Sequence, residues 1–177
     1  MKSAIEIEPF AAAPTDAPVA PNSPTPQGPT PAATGRAEMA APAPGGALTW
    51  TAPSSWVSKP AGSTRKATYQ VGADGDLSIT AFPGDVGGEL ANINRWRSQV
   101  SLPAVADAQL ASTVNRIPAN GLTITFADIA NNGQRILGAI VPAGSETWFF
   151  KLSGPDATVA AAKPAFTDFL KSIRPSK

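Results

Sequence analysis

The densest group of residues that could bind a ligand lies at positions 82–99, which read FPGDVGGELANINRWRSQ. Three glycines, Gly84, Gly87 and Gly88, precede a stretch whose apolar residues have helical spacing. Glycine lets the backbone take a positive φ or approach a ligand closely, and the first N–H groups of a helix attract anions. The spacing therefore indicates a candidate binding site where a helix begins.

The candidate site runs from Gly84 to Asn94 and would bind a small anion or another polar ligand. The glycine spacing is neither G-x-G-x-x-G nor that of a P-loop. The carboxylates of Asp85 and Glu89 lie at the mouth of the site and would repel an anion. The other interpretation is a tight turn from a strand into the helix, and the sequence leaves both open.

Further along the same helix, Asn92, Arg95 and Trp96 form a second candidate binding group. Asn92 and Trp96 are four residues apart, so they lie on one side of a helix. Trp and Arg carry much of the binding energy at protein interfaces, which makes this group a candidate contact with a protein partner. The alternative is that Trp96 packs on a sheet. Arg97 would then pair with Glu89 or Asp85, and Arg95 with Asn92 or Asp128.

Composition excludes several kinds of chemistry. The chain has no histidine and no cysteine. Serine or cysteine catalysis with histidine, disulfides, zinc fingers and iron–sulfur clusters are therefore excluded. The acidic residues are scattered through predicted turns rather than paired. We expect no catalytic residue, no metal site and no cofactor, and the chain is not predicted to be an enzyme.

The 177 residues divide into two parts of unequal length. Residues 1–47 hold ten of the 19 prolines and only one aromatic residue, Phe10. A segment so poor in bulky apolar groups cannot offset the entropy of ordering it. We therefore expect a Pro/Ala-rich extended tail at 1–47, disordered or bound to a partner, and one domain of about 130 residues at 48–177.

The first ten residues give two further expectations. Ile5, Ile7 and Phe10 could anchor a short strand or peptide on a partner, or else belong to a frayed terminus. The apolar core of a signal peptide is missing, because Glu6 and Glu8 interrupt it. We expect a periplasmic or otherwise extracytoplasmic protein, tethered to a membrane and lacking its signal. The alternative is a cytoplasmic protein with an N-terminal arm.

Charge and hydropathy limit the partners. Residues 1–47 have two basic and four acidic residues, a net charge of −2, and residues 48–177 have twelve basic and nine acidic residues, a net charge of +3. Neither value predicts nucleic-acid binding, which requires a strong basic patch. No run of about 18 apolar residues exists, so no direct membrane span is expected, and a peripheral tether stays open.

The rest of the sequence alternates in the manner of strands, with a helix in the middle and another at the end. The predicted order is β-β-β-α-(β)-β-β-β-α, which gives an α+β sandwich: a mainly antiparallel sheet of about six strands flanked by two helices. Pro164 is expected to kink or divide the last helix. The predicted strands are 48–51, 65–71, 77–82, 113–117, 122–129, 135–141 and 146–153, and the predicted helices are 87–100 and 156–173, with a short helix or turn at 107–112.

One predicted strand carries three large aromatic residues in succession, Trp148, Phe149 and Phe150. Alternation places Phe149 on the side of the sheet opposite to its two neighbours. If helices cover both sides, all three are core residues. If they do not, one side is an exposed aromatic patch.

The order of elements and the placement of aromatics give the sequence a resemblance to a known fold family. The residues that carry it are Leu48-Thr49-Trp50, the P-x-x-W of Pro53 to Trp56, and the F-x-x-F-L-x-S-I of Phe166 to Ile173. Over residues 48–174 the chain resembles the Mog/PsbP-like α/β/α sandwich. That family includes the extrinsic photosystem II protein, a Ran-binding protein and bacterial lipoproteins.

The resemblance implies an accessory or binding domain that is tethered to, or docked on, a larger assembly. The family has no shared active site, so it assigns no functional residue here. The metal-binding histidines of some members have no counterpart in this chain. We therefore expect a non-catalytic accessory or docking subunit of a larger, membrane-associated protein complex. The alternative is the small-ligand module at Gly84–Asn94.

Overall fold

The computed structural model describes residues 47–177. Apart from Ala47, the predicted tail lies outside the described residues, and so do its candidate anchors Ile5, Ile7 and Phe10. Within residues 47–177, no helix is long and apolar enough to cross a membrane.

Nine strands and three helices make up the described part of the chain. The strands are β1 (Leu48–Thr49), β2 (Val57–Lys59), β3 (Ala67–Val71), β4 (Gly75–Pro83), β5 (Val114–Ala119), β6 (Leu122–Asn131), β7 (Gln134–Ala143), β8 (Glu146–Pro155) and β9 (Arg174–Pro175). The helices are α1 (Gly88–Gln99), α2 (Asp107–Thr113) and α3 (Asp156–Ser172).

Seven strands form one antiparallel sheet in the order β2-β3-β4-β8-β7-β6-β5, and β1 pairs with β9 in a small second sheet. After β4 the chain crosses through α1 and α2 to the far edge, and β5 to β8 then return strand by strand to pair with β4. Asn120 and Asn132 take positive φ beside glycines in the tight turns of this meander. The predicted mainly antiparallel α+β fold is confirmed.

The larger core lies between the sheet and α3. Strand alternation directs one side of β3, β4, β6, β7 and β8 toward this layer, as Trp148 and Phe150 illustrate. From α3, Phe166 and Phe169 are fully buried against these residues. Trp50 packs edge to face on Trp148 and Phe150. This layer contains most of the buried apolar side chains of the described chain.

A smaller core lies on the opposite side of the sheet, beneath α1. Ile93, Trp96 and Val100 of α1 pack against β6, β7 and β8, where Ile140 and Phe149 are buried. Helices thus lie on both sides of β8, and Trp148, Phe149 and Phe150 are all at most 8% exposed. The prediction that these three aromatics are core residues is confirmed.

Helix α3 is not divided at Pro164, where the sequence predicts a kink or a division. The proline has no N–H to donate to a carbonyl one turn earlier, so a kink or a break was expected. The structure has one helix from Asp156 to Ser172 that includes Pro164. Val159 before the proline and Leu170 after it are both fully buried, so both halves pack on the same sheet.

Candidate functional site

The three glycines form the connection from β4 into α1. Gly84, Gly87 and Gly88 have φ values of 71°, 79° and 73°, in the left-handed region that favours glycine. Gly87 is the N-cap residue and Gly88 the first residue of the helix. The glycines therefore serve a tight strand-to-helix turn.

Hydrogen bonds within the protein hold this turn in place. The N–H of Gly84 donates to the carbonyl of Ser145 (2.8 Å), and the hydroxyl of Thr147 donates to the carbonyl of Gly84 (2.7 Å). The N–H of Gly88 donates to Oδ1 of Asp85 (2.9 Å). The Asp85 carboxylate therefore occupies an N–H at the helix start that a bound anion would otherwise use.

A cavity of about 250 Å³ lies beside this helix start, and its lining includes two acidic residues, Asp85 and Glu89. Glu89 is paired with Arg116 of β5, whose Nη2 lies 2.6 Å from Oε2, and it also accepts a hydrogen bond from Thr125. The hydrogen bond from Arg116 is the main cause that lowers the pKa of Glu89. The residues that line the cavity are Asp85, Gly88, Glu89, Asn92, Ile140, Pro142 and Thr147.

Asn92 is buried, and its side-chain amide forms hydrogen bonds to the same turn. Its Nδ2 donates to the carbonyls of Val86 and Gly88, both at 2.8 Å. Its Oδ1 accepts a hydrogen bond from Arg95 Nη1 at 3.3 Å, which is one of the local pairings the sequence predicts. Asn92 therefore links the start of α1 to the side chain of Arg95 one turn later.

Trp96 packs on the sheet, as the alternative interpretation of its position predicts. The indole is 5% exposed and lies edge to face with Phe149, at 6.5 Å between ring centroids. Arg97 forms no ion pair with an acid of residues 47–177, and its Nε donates to the carbonyl of Pro103 (2.8 Å). Trp96 therefore contributes to the smaller core.

A larger groove, which we name the α1 groove, lies between α1 and strands β4 and β8, with a volume of about 440 Å³. Its apolar wall consists of Trp96, Phe149 and Phe82, and the last two rings are in edge-to-face contact. The residues that line it are Arg65, Ser78, Thr80, Phe82, Val86, Asn92, Arg95, Trp96, Gln99, Phe149 and Lys151.

Three cationic side chains line the α1 groove. Arg65 pairs with Asp76 at 3.3 Å. Lys151 Nζ donates to Oε1 of Gln99 at 3.1 Å, and burial, followed by the nearby charge of Arg65, lowers the pKa of Lys151. Among residues 47–177, neither Lys151 nor Arg95 is within 4.0 Å of a carboxylate oxygen.

The structure divides the predicted site residues between two places. Gly84, Asp85, Gly87 and Gly88 form the turn, whereas Asn92, Arg95 and Trp96 line the α1 groove. Sequence reasoning missed the part of the groove that the sheet provides, Ser78, Thr80, Phe82 and Lys151, and also Arg65 in the loop before β3. Alternation held a signal for Lys151, which lies two residues after Phe149 and so shares its side of the strand.

Within the described range no group of three or more His, Cys, Asp and Glu residues is placed to hold a metal ion. The other clustered charges are ion pairs between structural elements. Asp128 of β6 accepts hydrogen bonds from Arg135 of β7 and from Lys163 of α3, both at 2.8 Å. Arg135 also donates to Asp156 at 2.6 Å. This network ties α3 to the sheet.

No protein-family model matches the chain, and no curated protein matches it. Among solved structures, the cyanobacterial PsbP protein (CyanoP) of Synechocystis sp. PCC 6803 is similar at 13% identity and a TM-score of 0.48, over 73% of this chain and 87% of that one. LpqN of Mycobacterium tuberculosis, a protein involved in cell envelope biogenesis, is similar at 12% identity and a TM-score of 0.42, over 73% and 83%. At these identities both likenesses concern the fold alone.

Proposed function

We propose that this chain is a non-catalytic accessory or docking subunit that binds a protein partner in a larger complex through the α1 groove. One observation carries the proposal: the groove combines an aromatic wall with Arg95 and Lys151, neither of which pairs with a carboxylate of residues 47–177. Aromatic residues and arginine are enriched where protein interfaces gain most of their energy.

The charges elsewhere in the described chain support this choice of surface. Glu89 with Arg116 joins α1 to β5, and Asp128 with Arg135 joins neighbouring strands beneath α3. Such ion pairs hold elements of the fold together, and their basic side chains have few N–H donors left for a partner. Arg95 and Lys151 retain most of their hydrogen-bond donors, because each donates one hydrogen bond to a side-chain amide of α1.

The sequence before the domain supports a tether. The Pro/Ala-rich composition of residues 1–47 is that of a spacer, and in our proposal it joins the domain 48–177 to a membrane-associated complex on the periplasmic or another extracytoplasmic side. The resemblance to PsbP-like proteins, which are often docked on larger assemblies, supports the same role.

Affinity capture with the full chain tests the proposal. The wild-type chain should retain a defined partner from a detergent extract of the source membranes, and Arg95→Glu with Lys151→Glu should lose it. Lys171→Glu is the matched control, because this exposed lysine lies on α3, on the other side of the sheet. Equal retention by all three proteins, or no retained partner at all, would contradict docking through the groove.

The second candidate function is the small-ligand module at Gly84–Asn94, and the cavity of about 250 Å³ beside Gly88 favours it. Asp85 and Glu89 at its wall fit an uncharged polar ligand better than an anion. A panel of sugars and amides tests it by thermal shift. Any stabilisation should disappear when Gly87 and Gly88 are replaced by alanine, and no shift with any ligand would remove this candidate.

A further inference from the structure

The side of the sheet that faces α1 is apolar under the helix and polar next to it. Under α1 the sheet presents apolar residues of β6 and β7, such as Ile129 and Ile140. Next to α1 the same side of the sheet presents Thr68 of β3 with Ser78 and Thr80 of β4. Thr68 is paired with Ser78 in the antiparallel register, and Thr80 lies two residues after Ser78. The α1 groove therefore has an apolar wall beside the helix and a polar floor farther away.

Lys151 stands where the two halves meet. The register places it between Ser78 of β4 and Gly138 of β7. An ammonium group has three N–H donors, and the only acceptor recorded for it among the described residues is the amide of Gln99. Burial lowers the pKa of Lys151, so its charged form lacks the solvation that an exposed lysine has. Asp76 pairs with Arg65 and attracts the Lys151 ammonium only from a distance, so a carboxylate in the groove would give Lys151 a direct partner.

The polar floor of the α1 groove consists of Ser78 and Thr80, and Thr68 lies outside the lining of the groove. Thr68 is 5% exposed, and its hydroxyl has no hydrogen-bond partner within the described structure. Because that hydroxyl is shielded, a ligand in the groove would meet the hydroxyls of Ser78 and Thr80 instead. Thr68 lies directly opposite Ser78, whose own hydroxyl makes only a long contact of 3.4 Å with the carbonyl of Lys151.

Arg95 completes the arrangement from the helix. Its guanidinium has five N–H donors, and the hydrogen bond to Asn92 at 3.3 Å uses one of them. Guanidinium groups bind carboxylates in a bidentate manner. Arg95 and Lys151 therefore supply two cationic donors to one groove, next to the rings of Trp96 and Phe149.

We propose that the α1 groove binds a peptide segment of the partner protein in which a carboxylate side chain lies next to an aromatic one. The carboxylate pairs with Lys151 and Arg95, and the aromatic ring packs against Trp96, Phe149 and Phe82. The inference rests on the proposed docking function and names the partner's chemistry. The cationic side chains of the groove favour an acidic residue in the bound segment, and the aromatic wall favours an aromatic residue next to it.

Fluorescence anisotropy with a labelled peptide pool of the pattern Gly-Xaa-Glu-Phe-Xaa-Gly tests the inference on the full chain. The pool should bind at least about tenfold more tightly than a pool with Gln in place of Glu, and about tenfold more tightly than one with Ala in place of Phe. Added salt should weaken binding of the acidic pool more than that of the Gln pool.

Variants of the protein identify the groove as the site. Lys151→Met keeps the volume of the stem and removes the charge, and Arg95→Gln is a second variant at a more exposed position. Each should weaken binding of the acidic pool about tenfold and leave binding of the Gln pool unchanged. Lys171→Gln should leave both unchanged. Melting temperatures close to that of the wild type verify that the variants are folded.

The outcomes separate this inference from the docking function. If the acidic pool binds no better than the Gln pool, or if a phosphate-bearing or lipid probe binds where the acidic pool does not, the inference is wrong. Docking still stands in that case if the captured partner is lost with Arg95→Glu and Lys151→Glu. If those variants keep the partner, docking through the α1 groove fails together with the inference.

Discussion

Gly138 of β7 leaves the space that the indole of Trp96 fills. A Cβ placed on Gly138 would lie within 2.7 Å of three carbons of the six-membered ring of Trp96. Side chains never approach so closely, so any residue other than glycine would displace the indole or the helix. Helix α1 therefore packs directly on the backbone of β7, and one wall of the α1 groove depends on this contact.

Gly138→Ala is expected to destabilise the protein by roughly 1–3 kcal/mol, the cost of adding a group to a filled core. The ring of Trp96 is 5% exposed and has little room to move. Urea unfolding followed by tryptophan fluorescence measures the change. Gly62→Ala is the matched control, because no atom lies within 4 Å of its Cβ position and its φ is not in the left-handed region.

A double-mutant cycle shows whether the cost comes from Trp96. In a Trp96→Leu background the added methyl group meets a smaller side chain, so Gly138→Ala should cost much less than in the wild type. An equal cost in both backgrounds would mean that Gly138 is required for another reason, such as the strand backbone itself.

The pair of Glu89 with Arg116 makes part of the stability depend on pH. The hydrogen bond from Arg116 lowers the pKa of Glu89 below its ordinary value of 4.5. The stabilisation is therefore complete at pH values above 4.5 and is lost as the pH falls through the folded-state pKa. The free energy of unfolding of Glu89→Gln should lie below that of the wild type near neutral pH and approach it in acid.

Urea titrations between about pH 7 and pH 3 measure this difference. A gap between the wild type and Glu89→Gln that stays constant across this range would contradict the role given to the charged pair. Glu146→Gln is the control, since Glu146 takes part in no ion pair of the described chain.

Removal of the Asp128 carboxylate should destabilise the protein more than removal of an exposed one. Asp128 is 19% exposed and pairs with Arg135 and Lys163, so Asp128→Ala leaves a half-buried guanidinium with one partner fewer. We expect a loss of about 1–3 kcal/mol. Asp168→Ala should change stability by less than about 0.5 kcal/mol, because its 3.8 Å pair with Lys171 is exposed. Thermal unfolding of both variants, compared with the wild type, decides the point, and equal effects would contradict it.

Asn92→Ala should cost about 1–3 kcal/mol, because the carbonyls of Val86 and Gly88 would lose their shared donor in a buried position. Arg95 would also lose its amide acceptor. Calorimetric melting of Asn92→Ala and of Ser98→Ala, an exposed position in the same helix, provides the comparison. If Asn92→Ala is as stable as the wild type, the structural role given to this amide is wrong.

Alternation in the sequence predicted most of the sheet because a period of two separates the residues that face α3 from those on the opposite side. In β6, Ile124 and Phe126 face α3 while Ala127 and Ile129 face α1, as the period of two requires. Strand β2 was missed, since its three residues are exposed and carry no apolar alternation. The pairing of β1 with β9 joins Leu48 to Pro175, and such distant contacts leave no local pattern.

The α1 groove was predicted only on its helical side for a similar reason. Asn92, Arg95 and Trp96 are neighbours in sequence, so helical spacing brought them together before any fold was known. Lys151 joins them through the pairing of β4 with β8, which depends on the long crossover through α1 and α2, and Arg65 joins them from the loop before β3. Spacing along the sequence does not show that these residues are close in space, whereas the order of the strands in the sheet does.

The two separate cores have a consequence for how such a domain changes during evolution. Trp148 and Phe150 of β8 belong to the larger core, and Phe149 to the smaller one beside the α1 groove. Substitutions near the groove disturb only the smaller set of contacts, while the layer under α3 continues to hold the sheet. Descendants of one ancestral domain can therefore change the surface of the α1 groove and still fold.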